Sequence, residues 1–268
     1  MIAYHVGLRD AGAKPAPRSA AQSKLLTVAS HHPTINRPMN VPLLLEAHAL
    51  VRRDARTATA LLAAIDFSLA AGERVVINGP SGSGKSVFLR ALALLDPLDG
   101  GQVLWHGRPI ERRAIPRFRR SVAYVRQRPA LVGGTVEDNL RYPYALHVYH
   151  DARFDRDRAA RLAAAAGRGA DFLDKRASDL SGGEAQVTAL IRVLQLEPEV
   201  LLLDEPTASL DPQAVLAIET LVADWFESDR SGRALIWVSH DPAQAERVGQ
   251  RRLAMRAGHL VAPQEDFE

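Results

Sequence analysis

Gly79-Pro80-Ser81-Gly82-Ser83-Gly84-Lys85-Ser86 fits G-x-x-x-x-G-K-[ST] at every required position. It follows a short apolar segment, Arg74–Ile77, that reads as a strand, and it opens a segment with Val87, Leu89, Leu92 and Leu95 that reads as a helix. Glycines at 79, 82 and 84 let the backbone curl so that its N–H groups converge on an anion. The first turn of the helix adds its own unpaired amides and the positive end of its dipole. Lys85 is placed to reach the β- and γ-phosphates of a nucleotide, and the Ser86 hydroxyl to coordinate Mg²⁺. Lysine is scarce: besides Lys85 the chain holds Lys14, Lys24 and Lys175, nearly all other cations being arginine. A compact ammonium is therefore kept where one is needed.

Downstream, Val200-Leu201-Leu202-Leu203 runs into Asp204-Glu205. An apolar run without alternation suits a strand buried on both faces. Acids at its C-terminal end lie in the crevice where open α/β sheets bind ligands. Asp204 is then a Mg²⁺ residue, and Glu205 polarises the water that attacks the γ-phosphate. A second glycine motif, Leu180-Ser181-Gly182-Gly183-Glu184, heads another predicted helix. Ser181 is its N-cap, and Gly182 and Gly183 open the backbone for a second anion contact.

Between these motifs, strand patterns at 43–50, 65–69, 102–105, 121–125, 200–203 and 234–238 alternate with helical ones, including Ala214–Glu227. That order predicts an α/β fold with a mostly parallel sheet covered on both faces. From about 130 to 180 the apolar positions, such as Ala159, Leu162, Ala163 and Ala166, take helical spacing, which predicts a helical insertion.

The composition is globular: 47% apolar, 24% charged, no cysteine. Thiolate metal sites and disulfides are excluded. No apolar run approaches the roughly 18 residues of a membrane span. Residues 1–38 hold Arg9, Lys14, Arg18, Lys24 and Arg37 against Asp10 alone, together with four prolines. They read as a disordered extension, with Met39 as an alternative start. The remainder is close to neutral, which argues against a nucleic-acid partner recognised by bulk charge.

Over residues 43–262 the chain resembles the ATP-binding cassette family. The phosphate loop, the Asp204–Glu205 pair and Leu180–Glu184 match its Walker A, Walker B and signature motifs. Gln127 matches its Q-loop glutamine, Ser209-Leu210-Asp211 its D-loop and His240 its switch histidine. The resemblance implies a P-loop NTPase: a RecA-like core over about 43–127 and 196–262 with an antiparallel β subdomain, and a helical subdomain over about 128–195, all within 39–265. It implies an ATPase using ATP and Mg²⁺, with Gln127 linking the Mg²⁺ site to the helical lobe and His240 reaching the γ-phosphate. It also implies a head-to-tail homodimer, each ATP lying between Gly79–Ser86 of one subunit and Ser181–Gly183 of the other. An integral membrane permease subunit is the implied partner, with the chain peripheral on the cytoplasmic face of the inner membrane. Family members often stack adenine on an aromatic side chain, but 45–66 holds no Phe, Tyr or Trp, so Arg52 or Arg53 is the candidate stacking group.

Three competing classes fit less well. A nucleotide kinase has no place for Leu180–Glu184 or His240. A chromosome or repair ATPase needs a long coiled coil where five prolines interrupt fewer than 100 residues between Ser86 and Leu180. A translation-associated protein usually carries two cassettes. Segments 134–143, 189–195 and 234–241 are similar to ATPase subunits of small bacterial iron exporters of the Fet type, while importers of phosphate or amino acids share much of the pattern. His147, His150 and Asp151, like His31-His32, read as surface polar residues in preference to a metal site.

Overall fold

The computed structural model describes residues 41–262, and the expectations for residues 1–38, Met39 and His31-His32 lie outside them. Two long strands, β1 (Leu43–Arg53) and β2 (Ala60–Ala70), form a hairpin, and β3 (Arg74–Asn78) leads through the glycine loop into α1 (Lys85–Leu92). Then come β4 (Gly100–Trp105), β5 (Arg108–Pro109), α2 (Ile115–Ser121) and β6 (Val122–Val125). The segment that follows holds α3 (Val136–Arg141), α4 (Arg156–Ala165) and α5 (Gly182–Leu194), joined by short 3₁₀ turns. The chain returns through β7 (Val200–Asp204), α6 (Pro212–Ser228), β8 (Ala234–Val238), α7 (Pro242–Val248), β9 (Arg251–Arg256) and β10 (His259–Val261).

Two sheets result. The first is antiparallel, in the order β2-β1-β4-β5. The second, β10-β9-β3-β8-β7-β6, is parallel from β9 to β6, with β10 as an antiparallel edge. Every residue of β7 and β8 is buried. Alternation splits them: Val200 and Leu202 face a core shared with α1 and the antiparallel sheet, whereas Leu201 and Leu203 face a second core under α5 and α6. Unbroken apolar strands are thus covered on both sides, each buried leucine contributing about 1.5–3 kcal/mol.

The predicted strand at 43–50 continues to Arg53 across a bulge, where Ala49 takes φ 48° and the pairing register shifts. Gly101 lies beneath it; a Cβ there would meet the Ala49 carbonyl oxygen at 2.3 Å. Ser121, expected in a strand, closes α2 instead, because Pro116 in the first turn starts a helix that runs up to β6. Ala159, Ala163 and Ala166 are buried as their spacing predicts. No helix among the described residues is long and apolar enough to cross a membrane.

Candidate functional site

The loop Gly79–Gly84 joins the C-terminal end of β3 to α1, at the carboxyl edge of the parallel sheet. Two of its three glycines are sterically required: Gly79 takes φ 141°, and a Cβ there would meet the Met255 carbonyl oxygen at 2.3 Å. Gly84 takes φ 109°, and its Cβ would strike the Leu61 carbonyl oxygen at 2.7 Å. Lys85 is 5% exposed and donates to the carbonyls of Gly79 at 2.8 Å and Pro80 at 3.0 Å. Burial holds its ammonium below the usual lysine range, opposed by the charges of Glu205 and Asp204. Ser81 and Gly82 are exposed; among the described residues nothing lies near where a Gly82 Cβ would stand, and the buried Ser83 hydroxyl has no partner.

Asp204, at the end of β7, is 4% exposed and accepts from the Ser86 hydroxyl at 2.9 Å and the Tyr124 hydroxyl at 2.7 Å. Burial and the bond to Asp204 push the Tyr124 phenol well above its ordinary range. Glu205 stands next in a left-handed backbone conformation, φ 48°, a strain of about 1–2 kcal/mol for a residue with a Cβ. Its Oε2 accepts from Gln127 Nε2 at 3.0 Å, and its Oε1 lies 2.7 Å from His240 Nε2. At that separation the imidazole nitrogen and the carboxylate oxygen are hydrogen-bonded. Loops after three neighbouring strands, β6, β7 and β8, thus bring Gln127, Glu205 and His240 to one point.

Ser181 N-caps α5: its hydroxyl accepts from the Glu184 amide at 3.2 Å, while the Glu184 carboxylate accepts from the Ser181 amide at 3.0 Å. Gly183 lets α5 approach α6, since its Cβ would stand 2.8 Å from that of Ala214. Lys175 donates to Glu184 at 2.9 Å. Among the described residues no hydrogen bond joins Ser181, Gly182 or Gly183 to the Glu205 cluster. Farther along α5, Gln186 donates to the Arg126 carbonyl at 3.3 Å and Arg192 to that of Ala130 at 3.0 Å, and the C-cap residue Gln195 donates to that of Leu140 at 2.6 Å. Asp211 of the D-loop-like segment caps α6 through the Ala214 amide at 2.9 Å.

This geometry is accompanied by sequence likeness. The family model described as ABC transporter matches residues 62–208. The chain belongs to the ABC transporter family. It is 39% identical over 207 residues to the nickel import ATP-binding protein NikO of Rhodobacter capsulatus, covering 74% of this chain and 80% of that one. It is 37% identical over 178 residues to "Probable iron export ATP-binding protein FetA" of Escherichia coli, covering 66% of this chain and 76% of that one. The ATP-binding cassette MJ0796, solved as a dimer in a post-hydrolysis state with ADP and Pi, superposes with a TM-score of 0.72 at 25% identity, over 81% of this chain and 96% of that one. The fold is accordingly that of the P-loop ABC ATPases, and the chain is an ABC transporter ATPase subunit that binds ATP.

The donors at the ABC site suit a small hard cation: the Ser86 hydroxyl, the Asp204 carboxylate and the Gln127 amide oxygen are all oxygen ligands. Tyr124, Lys175 and Gln186 are site neighbours that motif matching passes over. Tyr124 could have been found as a tyrosine on the strand beside β7, paired with Leu202 two residues before Asp204. Arg52 is committed to Asp99 at 3.0 Å, and Arg53 donates its amide to the same carboxylate at 2.7 Å. His147 and His150 stack on each other, Asp151 pairs with Arg120 at 2.7 Å, and no group of three or more His, Cys, Asp or Glu side chains that could hold a metal ion occurs among the described residues.

Proposed function

We propose that this chain hydrolyses Mg·ATP as one half of a head-to-tail homodimer and couples that cycle to transport by a separate integral membrane permease, from the cytoplasmic face of the inner membrane. Gly79, Pro80, Ser81, Gly82, Ser83, Gly84 and Lys85 cradle the phosphates. Ser181, Gly182 and Gly183 offer the amides at the start of α5 to the triphosphate held by the other subunit. Ser86, Asp204 and Gln127 hold Mg²⁺, which when bound neutralises charge on the phosphate oxygens. Glu205 orients the attacking water, and His240 faces the γ-phosphate from the opposite side. Residues 128–195 act as a helical lobe carried on the core. Two surfaces rich in amide donors repel until triphosphate fills the gap, so nucleotide binding favours the closed pair and hydrolysis opens it.

The observation that carries this reading is the meeting of Gln127, Glu205 and His240 from three loops at the end of β7. Residues so separated in sequence converge where charge on the γ-phosphate must be sensed. The cargo class we favour is a transition-metal ion, supported by relatives named for nickel import and iron export. Direction of transport belongs to the membrane subunit. Glu205→Gln tests the mechanism: the variant should bind ATP, turn over at least about a hundredfold more slowly and accumulate as a dimer on a sizing column. Undiminished turnover removes Glu205 from its role.

A further inference from the structure

Glu205 and His240 stand on different loops, and their contact at 2.7 Å survives only if both loops are held in register. The bonds that hold them meet at Gln244 of α7, which is 3% exposed. Its Oε1 accepts from Thr207 Oγ1 at 3.0 Å and from Ser239 Oγ at 2.8 Å. Its Nε2 donates to Glu219 Oε1 of α6 at 2.9 Å. Arg247 donates to both oxygens of Glu219, at 2.9 and 3.1 Å, and so fixes that carboxylate in turn. Thr207 lies midway between Glu205 and Ser209; Ser239 immediately precedes His240.

We propose that Gln244 is a positioning residue for ATP hydrolysis. One amide clamps the loop bearing Glu205 and Ser209 to the loop bearing His240, and anchors both to α6. The proposal rests on the assignment of Glu205 and His240 made above. The chemistry selects an amide. Two hydroxyl donors converge and need an acceptor with two lone pairs, while the Glu219 carboxylate needs a donor, and a neutral amide supplies both on one planar group. A carboxylate at 244 would face Glu219 at hydrogen-bonding distance with like charge. An apolar side chain would leave Thr207 and Ser239 without their common acceptor. Ser209 and Asp211 continue from the clamped loop into α6, so the clamp also links the Glu205–His240 contact to the segment matching the family's D-loop.

The test uses the full chain as Gln244→Ala, Gln244→Glu and the exchange variant Gln244→Glu with Glu219→Gln and Arg247→Leu. The exchange reverses the polarity of the buried bond while keeping an acceptor for both hydroxyls, and Arg247→Leu removes the Nη2 donor that would otherwise meet the amide nitrogen introduced at 219, since both bonds end on one Glu219 oxygen. Each single variant at 244 should lose about tenfold or more in kcat, because loop displacement misplaces reacting groups. KM for ATP should stay within about twofold, since the phosphate loop is untouched. The exchange variant should return to within about threefold of the natural chain, as expected for directly coupled partners. Hydrogen exchange supplies the readout besides activity: in Gln244→Ala the amides of 205–209 and 238–241 should exchange faster, while those of 79–86 do not change.

Unaltered exchange in either loop overturns the clamp. Loosened loops with full turnover overturn its bearing on catalysis. An exchange variant as impaired as Gln244→Glu shows general damage at 244 and overturns the specific role. Glu205→Gln, assayed alongside, separates the two levels: undiminished turnover there overturns the assignment of Glu205 and not the clamp, which the exchange rates judge independently.

Discussion

Tyr124→Phe removes a single atom and isolates one bond. The ring stays in place between β6 and its neighbours, so packing is unchanged. What disappears is the hydroxyl that donates to Asp204 Oδ2 at 2.7 Å. Asp204 is 4% exposed, and its remaining donor among the described residues is Ser86, on the other oxygen, at 2.9 Å. A bond to a charged acceptor contributes about 1.5–3 kcal/mol, and the buried Oδ2 left without a donor places the loss toward the middle of that range, about 2 kcal/mol. For a domain of this size, about 2 kcal/mol corresponds to a fall of about 4–8 °C in thermal unfolding temperature. Ellipticity melts of the nucleotide-free proteins measure it. Ser86→Ala is the companion, because both bonds end on one carboxylate and the double variant should depart from additivity by at least about 0.5 kcal/mol. A Tyr124→Phe protein that melts within about 1 °C of the natural chain refutes the inference that Asp204 depends on that hydroxyl.

Two further outcomes follow from the ionisable groups. The Ser181 amide and the Lys175 ammonium hold the Glu184 carboxyl below 4.5. A carboxylate with a depressed folded pKa stabilises above the ordinary carboxylate range and loses that contribution as pH falls through the lowered value. Glu184→Gln should therefore melt lower than the natural chain at pH 7, by the equivalent of about 1 kcal/mol, and the two curves should converge under acid. Lys85 is held below 10.5 by burial, so in the nucleotide-free protein it sheds its proton earlier than a free lysine. ATP affinity, measured by titration calorimetry between neutral pH and the usual lysine range, should decline before 10.5 is reached, whereas Lys85→Ala should be weak at every pH.

The sequence is most legible where the physics is local. A glycine loop between a strand and a helix needs its conformation whatever surrounds it, and Gly79–Ser86 stands where the motif puts it. Val200–Leu203 reads as a doubly buried strand because no polar residue interrupts it, and all five residues of β7 are buried. Ser181 caps its helix because the capping box is written three residues apart. Legibility fails where charge breaks the pattern: Arg251, Arg252 and Arg256 hide β9, whose buried residues are only Leu253, Ala254 and Met255. It fails again for contacts between distant positions. Tyr124 meets Asp204 across 80 residues and Thr207 meets Gln244 across 37, and neither pair leaves a trace in spacing.

The three bonds by which α5 grips the segment 126–140 all end on main-chain oxygens, those of Arg126, Ala130 and Leu140. The gripping side is specific, since Gln186, Arg192 and Gln195 must each supply a donor. The gripped side is indifferent to side-chain identity, because every residue type offers a carbonyl. Mutations can therefore redecorate the exposed positions of that strip, though not the buried Val136, Asn139 and Leu140, while it stays fastened to the helix behind it. A lineage can change what those exposed positions present to their surroundings without dismantling the attachment.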